Sequence, residues 1–123
     1  SGAVEAARHG RATLVAIDDL PELLMGPDEL TVEQLLVELL DAARSLPLRV
    51  VVSGEIDAMC RTYGDVMSRV RSGRTGVLLR PDPDLHAGLL HATLPRRDEL
   101  APCAGRGWAI HPDGAAPVQV ALP

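Results

Sequence analysis

Thr13-Leu14-Val15-Ala16-Ile17-Asp18-Asp19 and, further on, Leu48-Arg49-Val50-Val51-Val52-Ser53 are the stretches that decide the fold class. Each opens as a short apolar run bounded by polar residues, the pattern of a strand buried on both faces of a sheet. Between them lies the best helical signal in the chain. Thr31 and Gln34 have capping-box spacing, in which each side chain bonds the other residue's backbone N–H. Val32, Leu35, Leu36, Leu39, Leu40, Ala43 and Leu46 then recur at helical spacing. This predicts one helix over 31–46, burying Leu35, Leu36, Leu39 and Leu40 against the sheet. Pro47 ends it, because the residue before proline avoids the α region. Strand, helix and strand in that order make a βαβ unit, so the two strands are expected parallel with a right-handed crossover.

Working outward, residues 1–11 are polar and small and read as a linker. Leu20 to Leu24 reads as a short helical turn, broken by Gly26-Pro27-Asp28. Beyond Ser53-Gly54, the segments Ile56 to Tyr63 and Asp65 to Arg71 read as short helices split by Gly64. Gly76-Val77-Leu78-Leu79 is a third strand. Prolines surround an amphipathic piece, Leu85 to Leu90. Trp108-Ala109-Ile110 and Val118-Gln119-Val120-Ala121-Leu122 flank His111-Pro112-Asp113-Gly114, a hairpin signal.

The chain has 123 residues, 46% hydrophobic and 24% charged. That is enough for one domain with a real core and too apolar for disorder. No apolar run approaches the ~20 residues that span a bilayer. The N-terminus has no secretory pattern, and Ser1-Gly2 reads as a remnant of a tag on a piece of a longer protein. All 12 basic residues are Arg, which excludes lysine Schiff bases and the lysine of a phosphate-binding loop. A net charge of -5 and two aromatics, Tyr63 and Trp108, leave no nucleic-acid footprint. Cys60 and Cys103 lack framework spacing and read as free thiols of a cytosolic protein.

Asp18 and Asp19 close a strand whose carboxyl end is where open α/β sheets bind ligands. Acids there can hold magnesium through water and orient an attacking water; equally, they can simply begin a turn. His86 and His91 do not share a helix face, and no His or Cys pair has zinc spacing. Arg69, Arg71 and Arg74 precede the third strand, either as phosphate-binding forks or as a solvated face paired with Asp65. Gly105 and Gly107 most simply supply turn conformations.

Taken in order, these segments resemble the second half of an FtsK/SpoIIIE-type ATPase domain. They are most similar to the C-terminal domains of EccC, the motor of type VII secretion. The resemblance runs from about residue 11 to residue 123, over the strand with two acids, the helix, the second strand, the glycine-led strand, Gly105-Arg106-Gly107 and the final Val118-Gln119-Val120. It implies a three-layer RecA-like fold of the P-loop NTPase type, with residues 12–123 forming the half that lacks the P-loop. Asp18 then matches the Walker B aspartate, holding magnesium through water. Asp19 matches the following acid, which is glutamate in the DNA translocases. Ser53 matches the sensor position, and Arg71 or Arg74 an arginine acting in trans.

The resemblance further implies ATP and Mg as cofactors of a complete parent, with none expected for this chain alone. It implies a hexameric parent on the cytoplasmic side of a plasma-membrane complex. The partners would be other domains of the motor and secreted proteins or their C-terminal signal segments, with no nucleic acid. The isolated chain is expected to be inactive, because it has neither a glycine-rich phosphate loop nor any Lys. A binding module built on a degenerate ATPase fold is the second reading, and a fragment of a DNA translocase the third. An exposed apolar patch for docking is expected over 81–104, from Leu85, Leu89, Leu90 and Leu94.

Overall fold

The computed structural model describes residues 2–95 and 104–121. They fall into two compact units, Ser1–Arg69 and Val70–Pro123. The first unit opens with helix α1 (Gly2–Arg8), where a linker was expected. Val4 and Ala7, three apart, turn one face of this short helix inward, and it packs against both strands of the first sheet.

That sheet pairs β1 (Thr13–Ile17) with β2 (Leu48–Val52) in parallel, in register from Thr13↔Leu48 to Ile17↔Val52. The parallel pairing is as the βαβ spacing predicts. Burial on both faces is not observed. Burial alternates along each strand, with Leu14, Ala16, Arg49 and Val51 exposed. A continuous apolar run reports affinity for a core but not how many layers cover it. Here the two strands form a sheet by themselves among the described residues.

Helix α2 (Leu20–Leu24) has Pro21 in its first turn, where the missing N–H costs nothing. Helix α3 (Glu29–Ala42) packs against it. The long helix therefore starts before Thr31 and ends before Leu46. Asp28 holds the N-cap position, its carbonyl accepting from Val32 N at 3.0 Å, so Thr31 lies inside the helix and cannot cap it. At the other end Arg44, Ser45 and Leu46 turn tightly, ahead of the extended conformation that Pro47 demands. Leu36 and Leu39 are buried and Leu40 half-buried, but Leu35 is 53% exposed. Helices α4 (Ile56–Arg61) and α5 (Asp65–Ser72) follow the predicted split at Gly64. Glu55 caps α4, accepting from the backbone N–H groups of Asp57 and Ala58.

In the second unit, β3 (Gly76–Leu79), β4 (Arg106–His111) and β5 (Gly114–Gln119) form an antiparallel sheet in that order. The third strand does not join the parallel pair, so a mixed α/β protein with two sheets is what is present. The β4–β5 hairpin closes on Pro112-Asp113, and its last strand starts at Gly114, ahead of the predicted Val118. Pro117 is tolerated there because β5 is an edge strand. Gly105 has the positive φ of a turn, at +82°, but Gly107 is a strand residue. A Cβ on Gly107 would run into the carbonyl oxygen of Leu78, so close approach of β3, not turn geometry, selects glycine.

The predicted apolar patch over 81–104 is not there among the described residues. Leu89 and Leu90, in the 3₁₀ turn Ala87–Leu90, are buried, as is Leu94; Leu85 alone of the four is exposed. Leu90 lies over Gly76, whose absent side chain makes room for it. The Pro81–His86 loop is tied by Asp82, which caps Asp84 and Leu85, and by buried His86, whose Nδ1 accepts from Asp82 N at 2.8 Å. Cys103, Leu122 and the stretch 96–103 lie outside the described residues. Among the described residues no helix is long and apolar enough to cross a membrane.

Candidate functional site

The parallel register places Asp18 and Ser53 side by side, each the first residue beyond its strand. The ladder continues into the turn: Ser53 N donates to Ile17 O at 2.9 Å, and Leu20 N donates to Ser53 O at 2.8 Å. These bonds carry the chain over the strand end and start α2. Asp19, at φ 53° and ψ 60°, makes the reversal in the left-handed region. Aspartate is one of the few residues that enter that region at modest cost. Gly54 seats the turn against α2 and α4, since a Cβ there would come within 2.8 Å of Pro21 and 2.7 Å of Met59.

The Ser53 hydroxyl donates to Asp18 Oδ1 at 2.6 Å and accepts from Asp19 N at 3.4 Å. One hydroxyl thus fixes the orientation of the Asp18 carboxylate and holds the backbone of Asp19. A short O–H···O⁻ bond of this kind is charge-assisted. Sequence reasoning named all three residues, and the structure brings them together.

Asp18, Asp19, Glu22 and Asp28, with Leu23 and Val32, line a cleft of about 420 Å³. Glu22 and Asp28 are the members that sequence reasoning missed. The signal for Glu22 is its place three residues after Asp19, one helical turn on. A hydrogen bond to the Asp19 carboxyl, and then the Asp19 charge, hold the Glu22 carboxyl above its ordinary pKa.

The cleft has no basic residue among those lining it. Its carboxylates can bind a hydrated cation or orient a water, but they repel a triphosphate. Among the described residues no group of three His, Cys, Asp or Glu side chains is arranged to hold a metal ion. A single carboxylate acting through water is compatible with magnesium, which keeps much of its hydration shell. ATP itself does not fit these residues alone, since nothing here cradles phosphate.

The arginines divide. Arg69 feels the Asp65 charge, as expected, and also reaches a second helix. It grips Asp41 of α3 with Nε to Oδ1 at 2.7 Å and Nη2 to Oδ2 at 3.2 Å, and donates to the Asp65 carbonyl. The Arg69 guanidinium holds the Asp41 carboxyl below its ordinary pKa. Arg71 on α5 is half-buried, and Arg74, at φ 51°, is exposed in the turn before β3. Both belong to the second unit. Cys60 is half-buried and forms no disulfide among the described residues. Compared with known proteins, the chain matches no family model, no curated protein and no solved structure.

Proposed function

We propose that this chain is the Walker B and sensor half of an FtsK/SpoIIIE-type ATPase domain, from a protein-translocation motor of the type VII secretion kind. The observation that carries the reading is the Ser53–Asp18 bond, at 2.6 Å, across the ends of two parallel strands. The resemblance implies a polar sensor residue at the end of the neighbouring strand, and here that residue bonds the aspartate matched to the magnesium side. Asp18 would hold magnesium through water, with ATP bound by a P-loop half supplied elsewhere in the parent protein. Asp19 has an arm one methylene shorter than glutamate and is turned into the left-handed region, which makes it a weak candidate for orienting water. Arg71 or Arg74 is the candidate for the arginine acting in trans. Among the described residues β1 and β2 pair only with each other, and their outer edges and open face at Leu14, Ala16 and Val51 suit strands added by that other half. The setting proposed is the cytoplasmic side of a membrane-associated hexamer whose partners are its own domains and secreted proteins or their C-terminal signals.

Phosphate release from Mg-ATP tests this. The chain alone should stay at background, as should Asp18→Ala. In the complete protein Asp18→Ala should abolish turnover. Turnover by the chain alone that Asp18→Ala removes would refute the half-site reading; a complete protein indifferent to Asp18→Ala would refute the Walker B role.

A second reading, a binding module on a degenerate ATPase fold, is favoured by the cleft's charge: every charged residue lining it is acidic. It requires a complete protein that has no ATPase activity yet retains its partners.

A further inference from the structure

A second hollow in the first unit, of about 330 Å³, has a different chemistry. Met25, Leu30 and Tyr63 converge on it and are 78%, 70% and 77% exposed, beside Glu29, Glu33 and Arg61. Tyr, Met and Arg are residue types enriched where proteins meet. Tyr63 is also the chain's only tyrosine. The volume is near the bottom of the ~300–1,000 Å³ range of small-molecule sites, so it suits one or two side chains better than a whole cofactor.

Charge narrows the occupant. Glu29 and Glu33 stand one turn apart on α3, where like charges repel. Gly64, at φ +117°, leaves room for Glu33: a Cβ there would come within 3.1 Å of its Oε1. Arg61 balances one of the two charges, and the hollow stays net negative. Asp28, next to Glu29 in the chain, extends the same sign.

We propose that this hollow docks an amphipathic helical segment of a partner protein. Apolar side chains at i and i+3 or i+4 seat against Met25, Leu30 and Tyr63, and flanking Lys or Arg face Glu29 and Glu33. The inference goes beyond the ATPase reading and does not rest on it.

The test titrates the chain, without nucleotide, with two labelled synthetic helices that share one leucine face. One has Arg flanks and the other Glu flanks. The Arg helix should bind at least about tenfold more tightly, and added salt should weaken it. Leu30→Ser and Tyr63→Ala should each weaken it by about tenfold or more, with circular dichroism unchanged. Glu33→Arg should narrow or reverse the preference. Should a variant unfold, the Met25 methyl resonance of the wild-type chain still has to move on adding the Arg helix. Binding of neither helix, equal binding of both, or wild-type affinity in Leu30→Ser overturns the proposal. So does a concentration-dependent dimer that the Arg helix fails to dissociate, which would make a second copy the occupant. Because nucleotide is absent, failure here leaves the ATPase reading standing, and the reverse also holds.

Discussion

Ser53 and Asp18, 35 residues apart in sequence, are joined by a 2.6 Å hydrogen bond that exists only because β1 and β2 run parallel and in register. Shifting either strand by one residue would turn one of the two side chains to the other face.

That bond should be measurable as a coupling. Ser53→Ala and Asp18→Asn should each cost about 0.5–1.5 kcal/mol in urea denaturation, the range for an accessible hydrogen bond. The double variant should cost less than the sum of the two. Strict additivity would mean that the hydroxyl and the carboxylate do not interact in solution.

Leu39 and Leu35 should separate sharply. Leu39, 7% exposed, should cost about 2–5 kcal/mol on truncation to Ala. Leu35, 53% exposed, should cost under about 1 kcal/mol. Equal losses would contradict the orientation of α3.

Glu22→Gln should stabilise the chain at neutral pH. The wild-type Glu22 carboxyl has a raised pKa in the folded state, through its hydrogen bond to Asp19 and the Asp19 charge. The folded chain therefore binds this proton more tightly than the unfolded chain. Its contribution is fully favourable below the unfolded carboxylate pKa and is lost as pH rises through the folded value. Thermal midpoints of Glu22→Gln and wild type should differ at pH 7 and draw together as pH falls through the carboxylate range. A gap that widens on acidification would reverse the assignment.

Asp41 has the opposite sign. Arg69 lowers its pKa, so its contribution is present above the unfolded carboxylate pKa and is lost as pH falls through the lowered value. Arg69→Lys, which cannot make the two-pronged contact, should flatten that acid limb in a pH–stability profile. An unchanged limb would show that the pair does not persist in solution.

Gly107→Ala should cost upwards of about 1 kcal/mol, because the added methyl meets the Leu78 carbonyl and forces β3 and β4 apart. Gly88→Ala, with nothing within 4 Å of the new carbon, is the control. Similar midpoints for the two variants would exclude the close approach.

The parallel strand pair, the helix between them and the C-terminal hairpin were legible in the sequence, because hydrophobic period and turn chemistry are local properties. So was the Asp18–Asp19 pair, since strand ends can be read from where an apolar run stops; Ser53 was singled out through the resemblance. Other features required the tertiary structure. Whether Leu14 and Val51 are covered depends on how many layers meet the sheet, and periodicity does not count layers. Whether Leu89, Leu90 and Leu94 face solvent depends on β3 presenting a glycine where Leu90 lands. Arg69 grips Asp41 on another helix as well as meeting Asp65 one turn away, because its planar guanidinium can take both oxygens of a carboxylate brought within reach by packing. Glu22 joins the acidic cleft only because Asp19 turns left-handed and starts α2 there. Local chemistry wrote the elements of this protein; through-space encounters between distant residues decided which side chains share its site.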